Sequence, residues 1–236
     1  MFRLVILVSL LLIPHFAEAA FKLNRTRVVY SQNNGQELIV SNNSSQLYGG
    51  QVWVENYESN DKFYFVTSPQ LFKIKGNDKQ VIRIFKTDEE LPGDQESLFW
   101  INVQEIPPKS SASNSALVMS FRTKIKLIYR PETILEKRNN AEQQLTWRQQ
   151  ENTVMLNNPT AFYFAITSVE ANGTKHVPHE KQAIAPFSTQ LLSFDSLPQV
   201  NELAVIGIND YGANRRFVIE QDKNMATALQ GNINAE

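Results

Sequence analysis

The chain has 236 residues, 42% of them hydrophobic, with 23 basic and 24 acidic side chains and a formal charge of −1. That balance, with no basic run above the background, excludes an electrostatic nucleic-acid footprint. The complete absence of cysteine excludes disulfides, thiol nucleophiles and cysteine zinc sites, so stability must come from apolar burial.

Arg3 opens the chain with a short positive region, residues 4–14 are almost wholly apolar, and Ala17-Glu18-Ala19 offers small residues at both cleavage-determining positions. This is the pattern of a secretory signal peptide, residues 1–19, cut after Ala19. As a membrane anchor the run is too short, since a span needs about 20 apolar residues, and no later segment is a second candidate. The expectation is an exported, soluble protein with no integral membrane segment.

What remains is long enough for two domains of roughly 100 residues each. Short stretches rich in β-branched and aromatic residues recur at 27–30, 37–40, 51–54, 81–85 and 98–103. Turn chemistry separates them at Asn33-Asn34-Gly35, Gly76-Asn77-Asp78 and Leu91-Pro92-Gly93-Asp94. Then comes the polar, small-residue stretch 109–116, followed by a run from Leu117 to Arg130 that reads as one long strand. Leu117, Met119 and Phe121 fall on one face of its first half, and cations and Pro131 mark its end. On pattern alone this is either a core strand of a sandwich or an apolar strand that a flexible loop lends to another protein. Residues 135–150 lose the alternation and turn polar, which places a domain boundary there, between 20–140 and 141–236. Alternation resumes at 153–156, 162–166, 190–194, 203–206 and 216–219. Strands at this spacing, without helical periods between them, predict an all-β chain of two β-sandwiches in tandem.

Catalytic chemistry finds little purchase. Of three histidines, His15 leaves with the signal, and His176 and His179 flank the helix-breaking Pro178 with no third ligand nearby. There is no Gly-x-Ser-x-Gly elbow and no glycine-rich phosphate loop. The expectation is a protein that is not an enzyme and uses no metal or cofactor.

Five segments, in order, carry a resemblance. They are Leu23-Asn24-Arg25-Thr26-Arg27-Val28; Glu96-Ser97-Leu98-Phe99-Trp100 with Glu105-Ile106-Pro107-Pro108-Lys109; Thr123-Lys124-Ile125-Lys126-Leu127-Ile128-Tyr129-Arg130-Pro131; Asn158-Pro159-Thr160; and Ile208-Asn209-Asp210-Tyr211-Gly212. Together they resemble the periplasmic pilus-assembly chaperones of Gram-negative bacteria, the PapD-like family, over nearly the whole mature chain. Ala161 stands where the family often has proline, and the brief stretch between Pro108 and Leu117 resembles the short-loop branch, which usually serves rod-forming adhesive pili.

The resemblance implies that the two tandem sandwiches are immunoglobulin-like with an inter-domain cleft, and it implies a client: a pilin or fimbrial subunit with an immunoglobulin-like fold one strand short. The chaperone completes it with its own seventh strand, Leu117, Met119 and Phe121 filling the client's groove, and delivers it to an outer-membrane usher. It also implies that Arg27 and Lys126 grip the client's C-terminal carboxylate, fixing a register that a one-residue slip would destroy. Lys126 has the opposite strand parity from Phe121, so the sequence leaves open how both reach the client. Glu96, Arg130 and Asp210 match the family's inter-domain ion network. Without a client, an exposed apolar strand favours a self-capping dimer. The competing reading is an exported carbohydrate-binding or adhesive module, with Trp53, Tyr57, Phe63 and Tyr64 as its stacking surface.

Overall fold

The structure, a computed structural model, describes residues 19–31, 35–58, 60–109, 118–180 and 183–222. The signal segment up to residue 18, the stretch 110–116 and Leu117 lie outside the described residues.

The first domain contains β1 (Phe21–Leu23), β2 (Arg27–Tyr30), β3 (Gln36–Asn42), β4 (Tyr48–Asn56), β5 (Phe65–Ser68), β6 (Leu71–Ile74), β7 (Lys79–Lys86), β8 (Ser97–Ile106) and β9 (Arg122–Tyr129). They form a four-stranded sheet ordered β1-β3-β7-β5 and a five-stranded sheet ordered β2-β9-β8-β4-β6. Period-2 alternation drives the packing. Leu38 and Val40 on β3, Ile82 and Ile84 on β7, and Ile101 and Val103 on β8 point between the sheets and are buried. Their neighbours on the same strands face outward. The chain changes sheet between β1 and β2, so β2 reaches β9 only at Arg27 and lies parallel to it, Arg27 opposite Lys126 and Tyr30 opposite Tyr129.

Two 3-10 segments, Glu132–Arg138 and Ala141–Gln144, join the domains. The second domain contains β10 (Thr146–Gln150), β11 (Thr153–Asn158), β12 (Phe164–Ala171), β13 (Thr174–His176), β14 (Ala183–Ile184), β15 (Ser188–Ser193), β16 (Leu203–Ile208) and β17 (Asn214–Gln221). Their order is β13-β12-β16-β17-β10-β11-β15, with β14 also on β12. The path folds round its own core through a two-residue parallel link, Thr146 and Trp147 beside Glu220 and Gln221. Trp147, Leu156, Val205 and Leu192 fill that core. The fold is the expected double sandwich.

Two expectations need correction. The strand read from Leu117 begins at Arg122: residues 118–121 are not in a strand. Its ladder to β8 runs out at Gln104 opposite Arg122, and beyond it the Phe121 carbonyl still accepts the Glu105 amide at 2.9 Å. With no strand paired to it on the other side among the described residues, the backbone there has little to hold it flat. Residues 146–150, read as part of a polar connector, form β10. Polar Gln and Arg residues mask the strand in the sequence, but Trp147 is buried and its indole N–H donates to the Ile219 carbonyl at 3.1 Å.

Candidate functional site

The outer face of the five-stranded sheet is a grid whose rows follow from the registers. Val29, Ile128, Leu98 and Tyr57 make one row, Arg27, Lys126, Trp100 and Glu55 the next, then Lys124, Asn102 and Trp53. At the first row this face meets the second domain: Leu98, Ile128 and Ala183 are buried together, with Tyr57 and Tyr163 packed against them. The inter-domain cleft therefore opens directly onto the row that holds Arg27 and Lys126.

Glu96, Arg130 and Asp210 come together from three distant segments. Arg130 Nε donates to Glu96 Oε1 at 2.6 Å, and its two terminal nitrogens reach Asp210 at 2.7 and 3.0 Å, a bidentate fork. The second oxygen of Glu96 accepts the Tyr163 amide at 2.7 Å, and the Glu96 amide donates to the Ala161 carbonyl at 2.8 Å. Burial pushes the Glu96 carboxyl up, while Arg130 and the Tyr163 amide pull it back. At Asp210 burial also works upward, but the hydrogen bonds and charge of Arg130 outweigh it and the carboxyl is held below its ordinary value. The two acids differ because Glu96 has no water contact at all, whereas Asp210 keeps about a quarter of its side chain exposed.

A second clamp went unread in the sequence. Arg138 holds Glu142 through a fork at 2.6 and 2.8 Å and lies over the rings of Phe162 and Phe164, 5.5 and 5.3 Å from their centroids. Arg130 covers Phe162 as well, at 5.7 Å. Phe162 thus ties the ion network to the connector between the domains. The signal was the i, i+4 spacing of Arg138 and Glu142, hidden because that stretch reads as polar linker.

Arg27 and Lys126 are cross-strand neighbours on one face, and among the described residues neither enters an ion pair. Arg27 donates once, from Nη1 to the Ile208 carbonyl of the second domain at 2.9 Å, and its buried Nε has no partner. Burial lowers its pKa; Asp210 opposes the shift and Arg138 adds to it. Lys126 is pushed down to about 8, by burial first and by the Arg27 charge second. The turn between β16 and β17 closes over this corner: Gly212, at φ +86°, lies so near Thr26 that a Cβ there would collide with the Thr26 hydroxyl. Arg27, buried, and Lys126, half-buried, thus stand side by side on the cleft face with no ion pair of their own among the described residues.

Beside this pair lies the open edge of β9. β2 covers residues 126–129, and among the described residues nothing pairs with 122–125 on that side. Val118, Met119 and Phe121 are exposed just upstream, Phe121 at 41% and Met119 at 52%. Ile125 and Leu127 point into the sandwich while Lys126 and Ile128 face the cleft; Met119 and Phe121 lie outside the strand, so its alternation does not set their direction. The stacking surface of the competing reading divides, since Tyr64 packs against Phe99 at 5.5 Å whereas Trp53 lies on the outer face beneath Arg122.

Comparison with known proteins places this architecture. Residues 20–135 match the "Pili and flagellar-assembly chaperone, PapD N-terminal domain" family, and residues 140–218 match the "Pili assembly chaperone PapD, C-terminal domain" family. The Escherichia coli chaperone protein FanE is 33% identical over 230 residues, 94% of this chain and 99% of that protein. Chaperone protein FimC of Escherichia coli K12 is 35% identical over 202 residues, 84% of this chain and 82% of that protein. In the solved complex of the Salmonella enterica SafA pilin with the SafB chaperone, a chain superposes with a TM-score of 0.75 at 26% identity, covering 86% of this chain and 97% of that one. On both domains and over nearly its whole length, this chain belongs to the PapD family of pilus-assembly chaperones.

Proposed function

We propose that this protein binds, folds and caps pilin subunits in the periplasm by lending them the strand that leads into β9, and hands them to an outer-membrane usher. The observation that carries the reading is the open edge of β9 running straight into Arg27 and Lys126, neither of which enters an ion pair among the described residues. A client strand laid along that edge continues the lane of β2 and ends against Arg27. Its free carboxylate can be there only if it runs parallel to β9, as β2 does. Backbone pairing supplies affinity largely independent of sequence, and alternate side chains supply the fit. The two groups of residues divide the labour. Leu117, Met119 and Phe121 fill the client's groove, each contributing about 1.5–3 kcal/mol before ordering costs. Lys126 and Arg27, on the cleft side, hold the terminus and set the register. The Glu96–Arg130–Asp210 network keeps the two domains at the angle that shapes the cleft.

Residues 1–19 serve as the export signal in this scheme, and the family segments ending at 135 and starting at 140 support a division into domains 20–140 and 141–236. Without a client, the same edge and its exposed apolar residues favour a self-capping dimer. The test is co-purification of the tagged protein from the periplasm of its native host, beside an Arg27→Ala/Lys126→Ala variant. A stoichiometric pilin-like subunit with the wild type and none with the variant is the expected result. Capture of no subunit by either, while pili are being made, sinks the reading.

A further inference from the structure

The row that crosses the sheet at the anchor contains an unusual sequence of neighbours: Arg27 on β2, Lys126 on β9, Trp100 on β8 and Glu55 on β4. Glu55 is the one carboxylate in it, two strand spacings or about 10 Å from Lys126 along the sheet. Two long side chains can bridge that span. Glu55 instead takes Lys124 at 3.0 Å and the Trp53 indole N–H at 2.8 Å. The Trp100 ring stands between, with Lys126 Nζ 5.8 Å from its centroid and Lys124 Nζ 5.1 Å from it. Tyr57 backs the ring at 5.7 Å. The acid across the cleft, Asp210, is likewise occupied, by Arg130.

We propose that Trp100 is a positioning residue for carboxylate capture: its ring screens Lys126 from Glu55 and keeps the anchor's charge free for the client. An indole face attracts a cation through its quadrupole but has no lone pair to take the ammonium's hydrogen bonds. It therefore holds the lysine in place without neutralising it. A carboxylate in the same position would form an ion pair that the client's terminus would have to displace. The depressed Lys126, at about 8, is what a buried ammonium beside Arg27 and without an acid shows. The inference rests on the anchor reading above, and the experiment separates the two.

Lys126 is followed by NMR titration of its ε-methylene in the full mature chain, and capture is measured with a synthetic peptide of alternating valine and threonine ending in a free carboxylate, with the C-terminal amide as control. In Trp100→Leu the Lys126 midpoint rises above that of the wild type, and free-acid peptide binding falls about tenfold, equivalent to about 1.4 kcal/mol. Adding Glu55→Gln to Trp100→Leu returns both, and Trp100→Phe lies between wild type and Trp100→Leu. Should Trp100→Leu not fold, Trp100→Phe with and without Glu55→Gln makes the same comparison. A midpoint that stays or falls in the tryptophan variants, or a loss that Glu55→Gln does not rescue, overturns the screen and leaves Trp100 as packing. Equal binding of the acid and amide peptides by the wild type overturns the anchor instead, while the Lys126 titration still decides the role of Trp100.

Discussion

Arg130 and Lys126 lie four residues apart at the end of the same strand, both largely withdrawn from water, and the fold treats them oppositely. Arg130 spends its guanidinium on two carboxylates from two different segments, Glu96 and Asp210. Lys126 meets a second cation, Arg27, and an aromatic ring. Desolvating a charge is expensive in both cases, and only the first is repaid within the chain. A satisfied cluster is scaffold; an unsatisfied one stays costly until something outside the chain supplies the missing charge. Under the proposed function the contrast separates what holds the cleft from what uses it, and it predicts which mutations damage the fold and which damage only the capture of a client.

The sharpest break of that contrast is Arg130→Ala, which leaves Glu96 wholly buried without its cation. Removing one partner of a buried pair costs about 3–5 kcal/mol. The unfolding temperature should fall by several degrees and small-angle scattering should report a looser domain angle; no change in either removes Arg130 from the scaffold. Arg27→Ala/Lys126→Ala should behave the other way. Free-chain stability is expected to hold or rise slightly, because two mutually repelling buried charges are gone. Capture of a free-acid peptide should fall about a hundredfold, close to 2.7 kcal/mol. A large stability loss in that variant would erase the distinction. Next in size come the exposed apolar residues of the lent segment: Met119→Ser and Phe121→Ser should each weaken retention of a co-purified subunit by about 1.5–3 kcal/mol, with melting of the free chain unmoved.

The pH dependence has two parts, and they have opposite signs. Folding disfavours the charged form of Lys126, taking it from its ordinary 10.5 to about 8. Between those values the unfolded chain binds more protons, so this group makes stability rise with pH across the window. Below pH 8 both states hold the proton and the penalty is constant. Urea melts of wild type against Lys126→Met should show their difference shrinking from pH 8 upward. Capture runs the other way: it should weaken above about pH 8 as the ammonium is lost, with the midpoint moved up by a bound carboxylate, and Lys126→Met should show no such step.

Much of this was legible before any coordinates. Alternation identified the longer strands because period 2 is imposed by the backbone itself, and the motif segments pointed to Glu96, Arg130 and Asp210, which the fold brings together, and to Arg27 and Lys126, which it makes neighbours. β10 was missed because its one deep residue, Trp147, sits among Thr, Arg and Gln, and β1, β13 and β14, of two or three residues, are too short to show a period. The Arg138–Glu142 clamp was missed because its partners, Phe162 and Phe164, come from another strand region.

Composition, alternation and motif order by themselves determined that the chain is all-β, cysteine-free and built on the PapD pattern. They could not decide which charges are spent and which are kept. Arg27 meets Lys126 only because β2 crosses to the second sheet and lies parallel to β9, and Trp100 comes between Lys126 and Glu55 only through the registers of β9, β8 and β4. Those relations depend on registers across four strands, and register is a property of the assembled sheet rather than of any one stretch of chain.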